Sequence, residues 1–119
     1  MKGSREAEVI AQVADDATCA KQLARFFPSA SAVRIPVQVT ALRSSDSRLR
    51  EATVVEYCGA EHAIFLSKLP LEFDDRVELD RDRHGPAAEA AVVAVQYQDG
   101  RKAVAVRFLQ GACDWVTQP

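Results

Sequence analysis

Cys58 and His62 are the residues whose types and spacing first suggest chemistry. A thiol and an imidazole in a C-x-x-x-H arrangement are the ingredients of a zinc site, or of a nucleophile with its base. A structural zinc needs about four ligands, and no second paired spacing supplies the others, because Cys19, His84 and Cys113 each stand alone. The simpler reading makes Cys58 a small, partly buried apolar residue and His62 an ordinary hairpin side chain. Asp74, Asp75, Asp80 and Asp82 lack calcium-loop spacing and read as the wet side of a strand and its turn. A glycine-rich phosphate loop is also missing from the sequence. The expectation is a non-enzymatic protein with no cofactor and no metal. The formal net charge of -2 and a pI near 5.7 set the overall field against nucleic acid and anionic membrane surfaces. An anionic ligand must therefore be held by a local cluster of arginines.

The elements that position these residues fit in one domain, because 119 residues leave room for a single modest core. Three cysteines, odd in number and far apart, predict reduced thiols rather than a disulfide framework. No apolar run approaches the roughly 20 residues needed to span a bilayer, so no membrane span is predicted and a cytoplasmic location is expected. From Arg5 to Phe27, Val9, Ile10, Val13, Ala17, Ala20, Leu23, Ala24 and Phe27 recur at helical steps. Residues 1–27 thus form an amphipathic helical segment. It is one helix, or two if Asp15, Asp16 and Thr18 act as caps. Its apolar face packs against the domain, against a second copy, or against a protein partner.

Pro28 to Ala32 is a linker, and the barrel-like remainder covers residues 28–119. Val33, Ile35, Val37 and Val39 alternate with polar residues as a strand, in which Pro36 requires an edge or a side facing away from a neighbour. Arg43 to Arg50 is a solvated turn. Glu51 to Lys68 is a β-hairpin of β-branched and aromatic residues, with Gly59, free to take a positive φ, as the point of reversal. Leu69, Leu71 and Phe73 are expected to plug one end of the sheet. Arg76 to Asp82 is a fourth strand, and Ala87 to Gln98 a fifth with Ala91, Val93, Val95 and Tyr97 on one face. Asp99-Gly100 is a strong hairpin signal, and Arg101 to Leu109 returns as the sixth strand. Trp115 and Val116 cap the core. Val37, Val39, Val55, Ile64, Leu66, Val77, Leu79, Val93, Val95, Val106 and Phe108 should be mostly buried in one core.

Six short antiparallel strands with hairpin connections do not leave two open sheet edges cheaply, so the expected fold is mainly β, a closed barrel preceded by the helix. In this setting Val33-Arg34-Ile35-Pro36-Val37, Ala52 to Ala60, Val77-Glu78-Leu79, the Ala-Val-rich strand, Ala105 to Leu109 and Trp115 resemble a PilZ domain. The resemblance covers about Pro28 to Val116. It implies a six-stranded antiparallel PilZ-like β-barrel in bacterial cyclic di-GMP signalling, with cyclic di-GMP as the candidate ligand.

The family holds its dinucleotide with two arginines in an R-x-x-x-R pattern, and arginine suits this because its fork grips phosphate while its plane stacks on guanine. Arg34 matches the second arginine, and the first position falls on Ala30. Arg25 supplies a second cation only if the linker folds back. The family's D/N-x-S-x-x-G motif falls on Glu56 to Glu61, with Glu56 keeping an acid, Cys58 a weaker donor than a hydroxyl, Gly59 available for the turn, and Glu61 where glycine is expected. The candidate ligand-binding residues are therefore Arg34, Arg25, Glu56, Cys58 and Gly59. Two functions follow from the resemblance. One is a degenerate module that contacts a protein partner with weak or no nucleotide binding. The other is a genuine cyclic di-GMP receptor using Arg34 and Arg25.

Overall fold

The structure, a computed structural model, describes residues 19–42, 49–81 and 86–110. The helical reading of residues 5–18, the turn at 43–48, His84, and the tail with Cys113, Trp115 and Val116 lie outside the described residues. The strands are β1 (Ser31–Ala41), β2 (Leu49–Cys58), β3 (His62–Leu66), β4 (Arg76–Asp80), β5 (Ala88–Gln98) and β6 (Arg101–Phe108). They close into an antiparallel barrel in the order β1-β2-β3-β6-β5-β4, with β4 returning to β1. Strand β2 starts at Leu49, so Leu49 and Arg50, expected in the turn, belong to the wall.

Closure removes sheet edges, and the Pro36 problem is solved by strand length instead. β1 pairs with β2 at Pro36 and Val54, but β4 meets β1 only from Gln38 to Ala41. The missing N–H thus falls beyond the end of β4. Asp99 and Gly100, with φ of 52° and 78°, form the two-residue turn between the paired Gln98 and Arg101. Two positive φ values in succession are what a type I′ hairpin demands, and Asp-Gly accepts them at little cost.

The apolar residues divide into two clusters rather than one core. Val37, Val39, Val55, Phe65, Val77, Leu79, Val92, Val104, Val106 and Phe108 fill the barrel together with Leu69 and Leu71. Ile64, Ala103 and Ala105 face outward, where they are buried beneath Cys19, Ala20 and Leu23 of a helical stretch at 19–24, here α1. Small alanines on β6 let the helix lie close to the sheet. Gln96 donates from Nε2 to Gln22 Oε1 at 2.7 Å, tying α1 to β5. The helix tightens into i to i−3 bonds at Arg25, Phe26 and Phe27, and Phe27-Pro28-Ser29-Ala30 is a turn closed by Ala30 N to Phe27 O at 2.9 Å. Among the described residues, the apolar face of α1 is covered by the barrel.

Three further expectations change. A bulge between Val92 and Ala94 breaks the alternation of β5, so Val92 and Val95 share the interior side while Val93 packs in the outer cluster. Val93 and Val95 are half-buried as a result, and Leu66 is half-buried at the end of β3. Phe73, expected to plug the barrel with Leu69 and Leu71, is 74% exposed. It is a central residue of the turn closed by Asp75 N to Glu72 O at 3.0 Å, and the turn is pinned to β5 by Asp74 N to Val92 O at 2.8 Å. With both ends fixed in this way, the Phe73 ring projects outward.

Candidate functional site

Arg34 and Glu56 are brought together by an irregularity in the barrel wall. Ala32 pairs with Tyr57 and Ile35 with Val55, so Val33 and Arg34 both oppose the single residue Glu56. On its other side Glu56 is again the extra residue, between Val55 paired with Phe65 and Tyr57 paired with Ile64. Bulges of this kind bend a strand and re-aim its side chains. Arg34 is exposed, whereas Glu56 is half-buried. Burial raises the Glu56 pKa above its ordinary 4.5, and the Arg34 charge works against that rise.

Cys58 and Gly59 occupy different surroundings from these two. The Cys58 side chain is fully buried in the barrel interior, with its thiol directed at the Gly59 carbonyl oxygen, 3.5 Å away. Gly59 does not use a positive φ; among the described glycines, Gly100 does. What Gly59 provides is room. A Cβ there would stand 3.0 Å from Ser29 O and 3.3 Å from Ala30 Cα, so the linker crosses where a side chain would sit. Gly59 N also donates to His62 O at 2.8 Å, which closes the turn into β3. Ala30 is thereby held against the β2–β3 turn, and Arg25 lies exposed just beyond α1.

His62 lies on the outer side of the wall. Its ring is 4.7 Å from that of Phe27, tilted by 47°, and its strand partner on β6 is Arg107. Burial lowers its pKa below 6.5; Glu61 opposes the shift and Arg107 adds to it. Cys58 inside and His62 outside do not form one site. Among the described residues no group of three or more His, Cys, Asp or Glu side chains is placed to hold a metal ion. The other described thiol, Cys19 on α1, is buried against the barrel, and its pKa is raised chiefly by that burial, which keeps it protonated.

These two shifts give a pH prediction. The lowered His62 pKa contributes stability that is present above 6.5 and lost as pH falls through the folded value. The raised Glu56 pKa has the opposite sign: its contribution is full below 4.5 and lost as pH rises through the folded value. Glu56→Gln should therefore raise the thermal midpoint at neutral pH and leave it unchanged at pH well below 4.5. His62→Gln should flatten the fall in midpoint just below pH 6.5. Midpoints of the three proteins across this range check both signs.

A second concave region was not visible in the sequence. β3 has five residues and β2 ten, so beyond Leu66 the wall between β2 and β6 is closed by side chains instead of a ladder. Thr53 Oγ1 donates to Leu66 O at 2.7 Å, Ser67 Oγ to Glu51 Oε1 at 2.7 Å, and Lys68 N to Glu51 Oε2 at 2.9 Å. Glu51 and Thr53 stand opposite the inward-facing Val39 and Val37, so two polar residues occupy the interior side of β2 at this seam. A groove of about 710 Å³ opens here, between the seam and the β5–β6 turn. Lys102 Nζ donates to Leu69 O and stands 5.9 Å from the centre of the Tyr97 ring. Glu51 and Thr53, two residues apart in a strand that also carries Val54 and Val55, were the available signal. No protein-family model matches the chain, and no curated protein matches it.

Proposed function

We propose that the chain is a non-enzymatic PilZ-like module of bacterial cyclic di-GMP signalling, a degenerate receptor that works in the cytoplasm as an adaptor between proteins. The observation that carries this reading is the bulge in which Arg34 faces the carboxylate of Glu56. An arginine that already opposes a negative charge is a poorer partner for two phosphates, and Ala30 offers no second cation. Cys58, where the family motif places a hydroxyl, turns its thiol into the barrel and away from any surface ligand. Separation of Cys58 and His62 across the wall supports a role without catalysis. Among the described residues no helix is long and apolar enough to cross a membrane.

Calorimetric titration with cyclic di-GMP tests this reading. The unmodified chain should bind weakly or not at all. Ala30→Arg combined with Glu61→Gly adds one charge-assisted contact and removes one repulsion, each worth about 1–3 kcal/mol, so affinity should rise by about tenfold or more at low salt. Arg34→Ala in that background should abolish the gain. Submicromolar binding by the unmodified chain would establish the alternative reading, a genuine receptor, which the shared exposure of Arg34 and Arg25 favours.

A further inference from the structure

The turn that carries Phe73 presents an apolar ring to water at a fixed place. Phe73 is 74% exposed and stands between Glu72 and Asp74, which are exposed as well. Glu72 N donates to Asp75 Oδ2 at 2.8 Å and Asp75 N to Glu72 O at 3.0 Å. Asp74 N donates to Val92 O, and Asp75 O accepts from Val92 N, each at 2.8 Å. Asp74 takes a φ of 74°, in the left-handed region that aspartate tolerates better than most side chains. The turn therefore has its shape before any partner arrives, and little further order is lost when the ring is covered.

Beside the turn runs a row of residues on the outer side of three strands. Arg76 on β4 is paired with Ala91 on β5, and Ala91 with Arg107 on β6. Neighbouring strands are about 4.8 Å apart, so the two arginines are about 10 Å from each other at the backbone, with a small side chain between them. Both arginines are exposed. Among the described residues, no hydrogen bond or ion pair engages the side chains of Glu72, Asp74, Arg76 or Arg107. Glu78 and Glu89, opposite each other, lie on the side of this row away from the turn. Carboxylates, guanidinium groups and an open aromatic ring, none of them engaged within the chain, thus share one patch.

A patch with both signs of charge can be complementary to itself across a two-fold axis, where one residue of the first copy meets another of the second and the reverse contact follows by symmetry. We propose that this patch is the contact between two copies of the chain, a two-fold dimer with its axis beside Ala91. The Phe73 ring of each copy enters the gap over Ala91 of the other and lies against a guanidinium plane, while Glu72 and Asp74 accept hydrogen bonds from the same arginines. Arginine suits both contacts, because its plane stacks on an aromatic ring and its fork grips a carboxylate. The formal net charge of -2 opposes self-association in general, so the dimer is weak and depends on these local pairs. The proposal goes beyond the adaptor reading and uses β4, β5 and β6, whereas Arg34 and Glu56 lie on β1 and β2, so the two fail separately.

Sedimentation equilibrium of the full chain at low salt, from about 1 μM to about 1 mM, tests the dimer. The unmodified chain should follow a monomer–dimer equilibrium that weakens as salt is added. Phe73→Ser, and separately Arg76→Glu with Arg107→Glu, should each weaken the dimer about tenfold or more. All three positions are exposed, so the unfolding midpoint of the dilute chain should not change. Tyr97→Ser, at another open aromatic residue near the far end of β5, should leave the dimer as it was. A mixture of the Arg76→Glu, Arg107→Glu chain with a Glu72→Lys, Asp74→Asn chain should dimerise more tightly than either alone, because opposite charges then meet again. A chain still monomeric at the highest concentration, association beyond the dimer, a dimer indifferent to Phe73→Ser or to the arginine variant, an equal loss with Tyr97→Ser, or no gain on mixing would each overturn the proposal.

Discussion

Phe65→Ala should lower the stability of the barrel by about 3–5 kcal/mol, the cost of removing a fully buried aromatic side chain and leaving a cavity. Phe65 is at 0% exposure on the five-residue β3, with Val55 opposite it on β2 and Val104 on β6. Its ring fills the interior where three strands meet, and the neighbouring valines are β-branched and poorly able to swing into the void. A domain of this size has about 5–15 kcal/mol in total, so the loss is a large fraction of the margin. Denaturant titration reads it as a fall in midpoint at constant slope. Phe65→Leu, which keeps most of the volume, should cost markedly less. A loss below about 1 kcal/mol for the alanine variant would show that the interior is not the close-packed core described above.

Leu23→Asp should release α1 from the barrel without unfolding the strands. Leu23 is almost completely buried in the outer cluster with Ile64, Ala103 and Ala105, where a carboxylate would be placed among apolar side chains. Loss of the leucine alone is worth about 2–5 kcal/mol, and burial of a lone charge adds to this. The helix avoids that cost by undocking. The barrel survives because the described part of α1 contributes no residue to the interior cluster. Limited proteolysis should then cut near residues 25–30, while hydrogen exchange in β4, β5 and β6 stays slow. Global unfolding of the variant would show that the outer cluster is part of the same cooperative unit as the interior.

If undocking also changes nucleotide binding, the linker is the connection. Gly59 is covered by Ser29 and Ala30, and Phe27 leans on His62, so moving the helix moves the cover of the β2–β3 turn. The groove at the other end of β2 is outside this contact.

The sequence by itself determined the wall of this protein. Alternation in Val37, Val39, Val77, Leu79, Val106 and Phe108 named six inward positions because a strand has a period of two and one face must leave water. Asp99-Gly100 set the final hairpin because few residue pairs tolerate two positive φ values in succession. Arg34 and Glu56 were named from the sequence only through the family resemblance, as candidate ligand-binding residues. Only the tertiary structure decided that they share one bulge, that Cys58 points inward, that Gly59 is needed for the approach of Ser29 rather than for its φ, and that Val92 and Val95 end on the same side. It also decided that the apolar residues form two clusters and that β2 outruns β3 to leave a groove. Each of these depends on register between segments far apart in the chain. A shift of one residue in pairing exchanges inside for outside, and local periodicity carries no record of where such a shift occurs.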